Sequence, residues 1–104
     1  MDSLARLEQT VTQRFGADPG ESYVASLAAR GVPVIARKLG EEALETVVAA
    51  LSGSDDELVG EAADLLFHLT VLLAAKRVPL VRVIAELERR EGTSGLTEKS
   101  SRSS

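Results

Sequence analysis

Between Leu58 and Ala75 the chain reads LVGEAADLLFHLTVLLAA, a nearly unbroken apolar run that nonetheless holds Glu61 and Asp64. As a helix this run is hydrophobic almost all the way round, so it needs cover on most of its sides. Glu61 and Asp64 are three positions apart and share one stripe of that helix. Two like charges in an apolar setting cost on the order of several kcal/mol per ion, even after relaxation. A chain that keeps them there commonly sets a cation between them. The segment therefore predicts a central bundle helix with an acidic centre built into it.

The rest of the chain supplies helices to pack around it. Leu4, Leu7, Val11 and Phe15 recur at steps of three and four, which predicts an amphipathic helix closed by Gly16 and the turn Asp18-Pro19-Gly20. A short helix follows from about Glu21 to about Arg30, with Gly31 as its C-terminal cap. Pro33 suits the first turn of a third helix reaching about Leu51, with Gly40 inside it. Ser52-Gly53 breaks that helix, and Ser54 with Glu57 three residues on is a capping-box pattern for the fourth, which runs to about Arg77. Pro79 opens a last helix through about Arg90, apolar at Leu80, Val83, Ile84 and Leu87, and Gly92 ends it. No segment alternates as a strand does. The expected fold is all-α, about five helices in one domain over residues 1–91, with a disordered polar tail over 92–104.

Several classes of function are disfavoured. The chain has no cysteine, so disulfides and thiolate metal ligands are out. Its net charge is −4 with no basic block, which argues against nucleic acid as a partner. The apolar stretch around residues 62–75 reads as too short for a membrane span and is interrupted by His68. A soluble, cytoplasmic protein is the expectation.

On a helical wheel Lys38, Glu41, Glu42 and Glu45 fall in one sector of the third helix, while Leu39, Ala43, Leu44, Val47, Ala50 and Leu51 lie broadly opposite. On the fourth helix Glu57, Glu61, Asp64 and His68 form one stripe. The short connection favours an antiparallel pair, which sets Glu45 opposite Glu61 and Glu42 opposite Asp64. Each piece has an ordinary reading too. Three glutamates on one helix face are usually solvated, Glu57 is a cap, and a lone histidine is more often a core residue than a ligand. Taken together, four converging carboxylates without cysteine suit Mg²⁺, or Mn²⁺ in its place, better than Zn²⁺. A metal so held polarises phosphoryl oxygens and positions water, which points to hydrolysis of a phosphoanhydride.

The residues also resemble a known family. Ser22-Tyr23, then Ile35-Ala36-Arg37-Lys38-Leu39-Gly40-Glu41-Glu42-Ala43-Leu44-Glu45, then Leu58-Val59-Gly60-Glu61-Ala62-Ala63-Asp64-Leu65-Leu66-Phe67-His68-Leu69 are similar to phosphoribosyl-ATP pyrophosphatases of histidine biosynthesis. The likeness continues through Leu80 to Glu91. It implies a MazG-like all-α bundle and Mg²⁺ held by Glu42, Glu45, Glu61 and Asp64, with Glu41 beside them orienting water. It implies cleavage of the α–β bond of 1-(5-phosphoribosyl)-ATP, giving phosphoribosyl-AMP and pyrophosphate. Lys38 would contact phosphate, and Ser22 and Tyr23 would line the substrate pocket. The absence of a cyclohydrolase domain and its cysteines implies the stand-alone form. Relatives of this fold assemble across helical interfaces, and an all-round apolar fourth helix asks for the same, so a homodimer or dimer of dimers is expected. Three other readings remain: a pyrophosphohydrolase of non-canonical nucleoside triphosphates, a non-catalytic helical interaction module, and a di-iron bundle. The last departs from the sequence, because Asp64 stands where a Glu-x-x-His motif needs histidine.

Overall fold

The computed structural model describes residues 2–91. They form five helices: α1 (Ser3–Arg14), α2 (Tyr23–Arg30), α3 (Val32–Ser52), α4 (Asp55–Ala75) and α5 (Leu80–Arg89). No strand occurs among the described residues. The bundle is thus all-α, and each predicted helix exists within a few residues of its expected bounds. Gly92 and the tail over 92–104 lie outside the described residues.

Local chemistry sets the boundaries. Asp2, Ser22 and Ser54 cap α1, α2 and α4, each side chain accepting a hydrogen bond from the backbone N–H three residues on. Asp18 accepts from the N–H of Gly20 at 3.0 Å, which tightens the predicted turn. Gly31 sits between α2 and α3 at φ 92°, where a Cβ would be strained. α4 stops at Ala75, short of the expected Arg77. Arg77 itself takes a left-handed conformation at φ 57°, and the N–H of Val78 returns to the carbonyl of Leu73 at 2.9 Å. That geometry closes the helix end, a place where glycine is the commoner choice.

α3 and α4 form a long antiparallel hairpin and make the main packing contact of the molecule. α1 and α2 cover only one end of it. There Val11, Val24, Leu27, Ile35 and Val71 form the core, with Leu7, Phe15, Phe67 and Leu72 packed around them. The opposite end of the hairpin projects uncovered. Leu44 is 65% exposed, Leu51 83% and Val59 68%, and Val47, Val48 and Leu66 are exposed beside them. The apolar sector of α3 is largely exposed in the single chain, and α4, read as needing cover on most of its sides, buries only His68, Thr70 and Val71. The physical reason is supply: two short helices cannot wrap two helices of 21 residues each.

The membrane argument also needs correcting. α4 at 21 residues is long and apolar enough, by length and composition, to cross a bilayer. It nevertheless carries Glu61 and Asp64 near its middle, and each such charge at a bilayer centre costs about 2.5–3.5 kcal/mol or more. Of these, Glu61 is turned toward Glu42 and Glu45 of α3, as in a bundle helix.

α5 is held more lightly. Pro79 gives it no side-chain cap. Instead Glu8 of α1 reaches across and accepts the N–H of Leu80 at 2.6 Å. Replacing Leu27 by Ala should cost about 2–5 kcal/mol in urea unfolding, because its side chain is fully buried. Glu8→Ala should cost only about 1 kcal/mol and loosen α5 selectively, read as faster exchange of the Leu80 amide.

Candidate active site

The hairpin fixes the acidic residues by register. Glu42 and Glu45 are one turn apart on α3, and Glu61 meets them from α4. One carboxylate oxygen from each of Glu42, Glu45 and Glu61 lies within 4.8 Å of the other two. Glu45 acts on the titration of both neighbours. Asp64 is exposed at the edge, outside this triad but near enough for its charge to act on Glu42 and Glu61. The expected Glu45–Glu61 juxtaposition is formed.

The remaining candidates are distributed around this centre. Glu41 is exposed outside the triad and pairs at 3.7 Å with both Arg37 and Lys38. Lys38 is thus engaged by Glu41. Ser22 caps α2, accepting from the N–H of Ala25 at 3.2 Å. Tyr23 opens α2, and its hydroxyl lies 3.0 Å from His68 Nε2. His68 is buried, and its Nδ1–H donates to the Asp64 carbonyl at 2.8 Å. The Tyr23–His68 link joins residues 45 positions apart, which no periodicity could reveal. Glu57 stays at the helix start, capping with Ser54.

The electrostatics are those of a site built for positive charge. Glu61 has its pKa pushed up to about 7, chiefly by sharing a hydrogen bond with Glu45, then by burial and by the charges of Glu45, Glu42 and Asp64. Glu42 is also raised, first by desolvation and then by Glu45 and Asp64, with nearby His68 opposing. Glu42 Oε2 and Glu61 Oε2 are buried without a hydrogen-bond partner. Buried carboxylate oxygens normally have partners, so two orphans facing a third carboxylate fit the ligand set of a hard divalent cation. A groove of about 450 Å³ opens directly beside Glu45 and Glu61, walled by Leu44, Val48, Ala49 and Gly60. A Cβ at Gly60, or at Gly40 on α3, would meet nothing within 4 Å. Packing within the chain thus gives neither helical glycine a reason.

Fold and site together define an all-α bundle with a carboxylate centre set across a helical hairpin. Residues 4–91 match the family described as phosphoribosyl-ATP pyrophosphohydrolase, and the chain belongs to that family. It is 63% identical over 102 residues to a phosphoribosyl-ATP pyrophosphatase of Erythrobacter litoralis, covering 98% of each chain. It is 64% identical over 100 residues to one of Novosphingobium aromaticivorans, covering 96% of this chain and 94% of the other. A Rhizorhabdus wittichii protein of the same name is 61% identical over 100 residues, covering 96% of this chain and 94% of that one.

The raised carboxylates set the pH dependence of the metal-free fold. A folded-state pKa above the ordinary 4.5 means that the fold holds a proton the unfolded chain has released. Its contribution is fully present below about 4.5 and is lost as the pH rises through about 7. The thermal midpoint in chelator should fall across that window, and Mg²⁺ should raise it more above pH 7 than below. In chelator Glu61→Gln should flatten this dependence and raise the midpoint at neutral pH, since it removes one of the crowded charges.

Proposed function

We propose that the chain hydrolyses 1-(5-phosphoribosyl)-ATP to 1-(5-phosphoribosyl)-AMP and pyrophosphate, the second step of histidine biosynthesis, with Mg²⁺. The observation that carries the chemistry is the triad Glu42, Glu45 and Glu61 with its two orphaned oxygens. The near full-length likeness to phosphoribosyl-ATP pyrophosphatases supports the substrate.

In this reading Glu42, Glu45, Glu61 and Asp64 hold the metal, with Mn²⁺ as a substitute. When bound, it neutralises phosphate oxygens and acidifies a coordinated water. The protein's own residues do the rest. Without a counter-charge the acidic hairpin repels a polyphosphate, so binding of substrate and of cation are coupled. The antiparallel register holds the carboxylates at fixed separation, so little reorganisation accompanies the reaction. Water oxygen attacks the α-phosphorus, the bond to the bridging oxygen breaks, and pyrophosphate leaves with that oxygen. The proton given up by water passes to the carboxylate cluster. Lys38, released from Glu41, adds positive charge toward the departing phosphates.

A second copy of the chain covers the bare end of the hairpin, giving a homodimer or dimer of dimers. The support is the stripe Leu44, Val48 and Leu51 with Val59 and Leu66, all exposed on one chain. An apolar patch of that extent is the usual mark of an association site. The enzyme works in the cytoplasm, where its nucleotide substrate is made.

Pyrophosphate release from phosphoribosyl-ATP, with and without Mg²⁺, tests the activity. A stronger preference for a simple deoxynucleoside triphosphate would replace the substrate, and no turnover of either would leave a docking module. Glu45→Gln and Asp64→Asn should keep the helical spectrum and lose about 100-fold or more in turnover. Light scattering should show an assembly that Leu51→Glu dissociates; a compact wild-type monomer at micromolar concentration would remove the second copy.

A further inference from the structure

His68 is the chain's single histidine and Tyr23 its single tyrosine, and the structure ties them together beside the acidic centre. His68 lies within electrostatic range of Glu42. Its Nδ1 faces the Asp64 carbonyl at 2.8 Å. A carbonyl can only accept, so Nδ1 carries a hydrogen. Nε2 lies 3.0 Å from the Tyr23 hydroxyl, and the two side chains share a hydrogen bond. The hydroxyl is thereby turned inward and engaged.

What Tyr23 offers outward is its ring. It stacks on Phe67 with centroids 5.9 Å apart and planes at 21°, and meets His68 edge-on at 5.8 Å. Phe67 and His68 are themselves perpendicular at 5.1 Å. Hydrogen bond, stack and edge contact fix the ring in place, yet Tyr23 remains 51% exposed. The chain has three aromatic rings of the Phe, Tyr and Trp type, and Phe15 and Phe67 are both partly buried against the core. Tyr23 is the one left exposed.

We propose that the Tyr23 ring is the stacking surface for the substrate's purine base, and that His68 is the positioning residue that holds it there. This rests on the nucleotide reading above and sharpens the expected part of Tyr23 from a residue lining the substrate pocket to one that contacts the base through its π-face. His68 contributes through Tyr23 and not by touching substrate.

The unusual composition makes the test direct. With no tryptophan and one tyrosine, intrinsic fluorescence reports Tyr23 alone. In the full chain with Mg²⁺, AMP should quench it saturably after correction for absorption, and ribose 5-phosphate should not. Equal responses to the two ligands, no response to AMP, or a signal that follows protein dilution instead of ligand would overturn the inference. In pyrophosphate release, Tyr23→Phe, which keeps the ring but loses the bond to His68, should raise KM about as much as His68→Gln does, while Tyr23→Leu should raise it further, about tenfold or more, with kcat little changed. His68→Gln should also raise KM, but add little in the Tyr23→Leu background. An equal loss of kcat from His68→Gln in both backgrounds would place His68 with the carboxylates and refute its positioning role. The AMP titration of the wild-type chain decides for Tyr23 even if a variant fails to fold or phosphoribosyl-ATP is not turned over. If only His68→Gln fails to fold, Tyr23→Phe removes the same hydrogen bond, and an unchanged KM there overturns the positioning role.

Discussion

Mutual repulsion among three glutamates across one helical hairpin is the constraint around which this molecule is arranged. Glu42, Glu45 and Glu61 converge because α3 and α4 are antiparallel and closed by a short turn. Left to itself the cluster opposes that pairing, and it relieves the conflict by holding protons longer than free carboxylates do. The apolar contacts at the covered end of the hairpin must therefore hold the two helices in register. The core of Val11, Leu27, Ile35 and Val71 lies at that end. Stability is concentrated at one end, and destabilising chemistry sits in the middle.

Helix existence was highly legible because each signal was local. Capping serines, Gly31 and Pro79 fixed ends that the structure reproduces to within a few residues. The convergence of Glu45 with Glu61 was also legible, since antiparallel pairing through a short turn leaves few registers. Burial was not. A helical wheel says which residues share a face but not whether anything covers it, and Leu44 and Leu51 prove to be bare in a single chain. The left-handed Arg77 gave no sequence sign either, because arginine is not the residue that conformation favours.

Contacts between residues distant in sequence were the least visible. Tyr23 and His68 each stood out alone, one through a motif and one as a polar break in an apolar run. Their hydrogen bond depends on how α2 crosses α4, which is a property of packed volumes rather than of any spacing. The same holds for Glu8, whose carboxylate caps a helix 72 positions away. In both cases a polar group finds its partner only after the apolar surfaces have docked.

The Glu8 contact separates the molecule into two mechanical parts. α5 makes only sparse contact with the other helices, and this carboxylate secures its start. The acidic hairpin lies elsewhere, packed on the core and with its own termination at Arg77. Force or added mass applied through α5 would meet this weak joint before it reached the glutamates. A lineage could thus lengthen, trim or fuse sequence beyond α5 while the spacing of its charges went undisturbed.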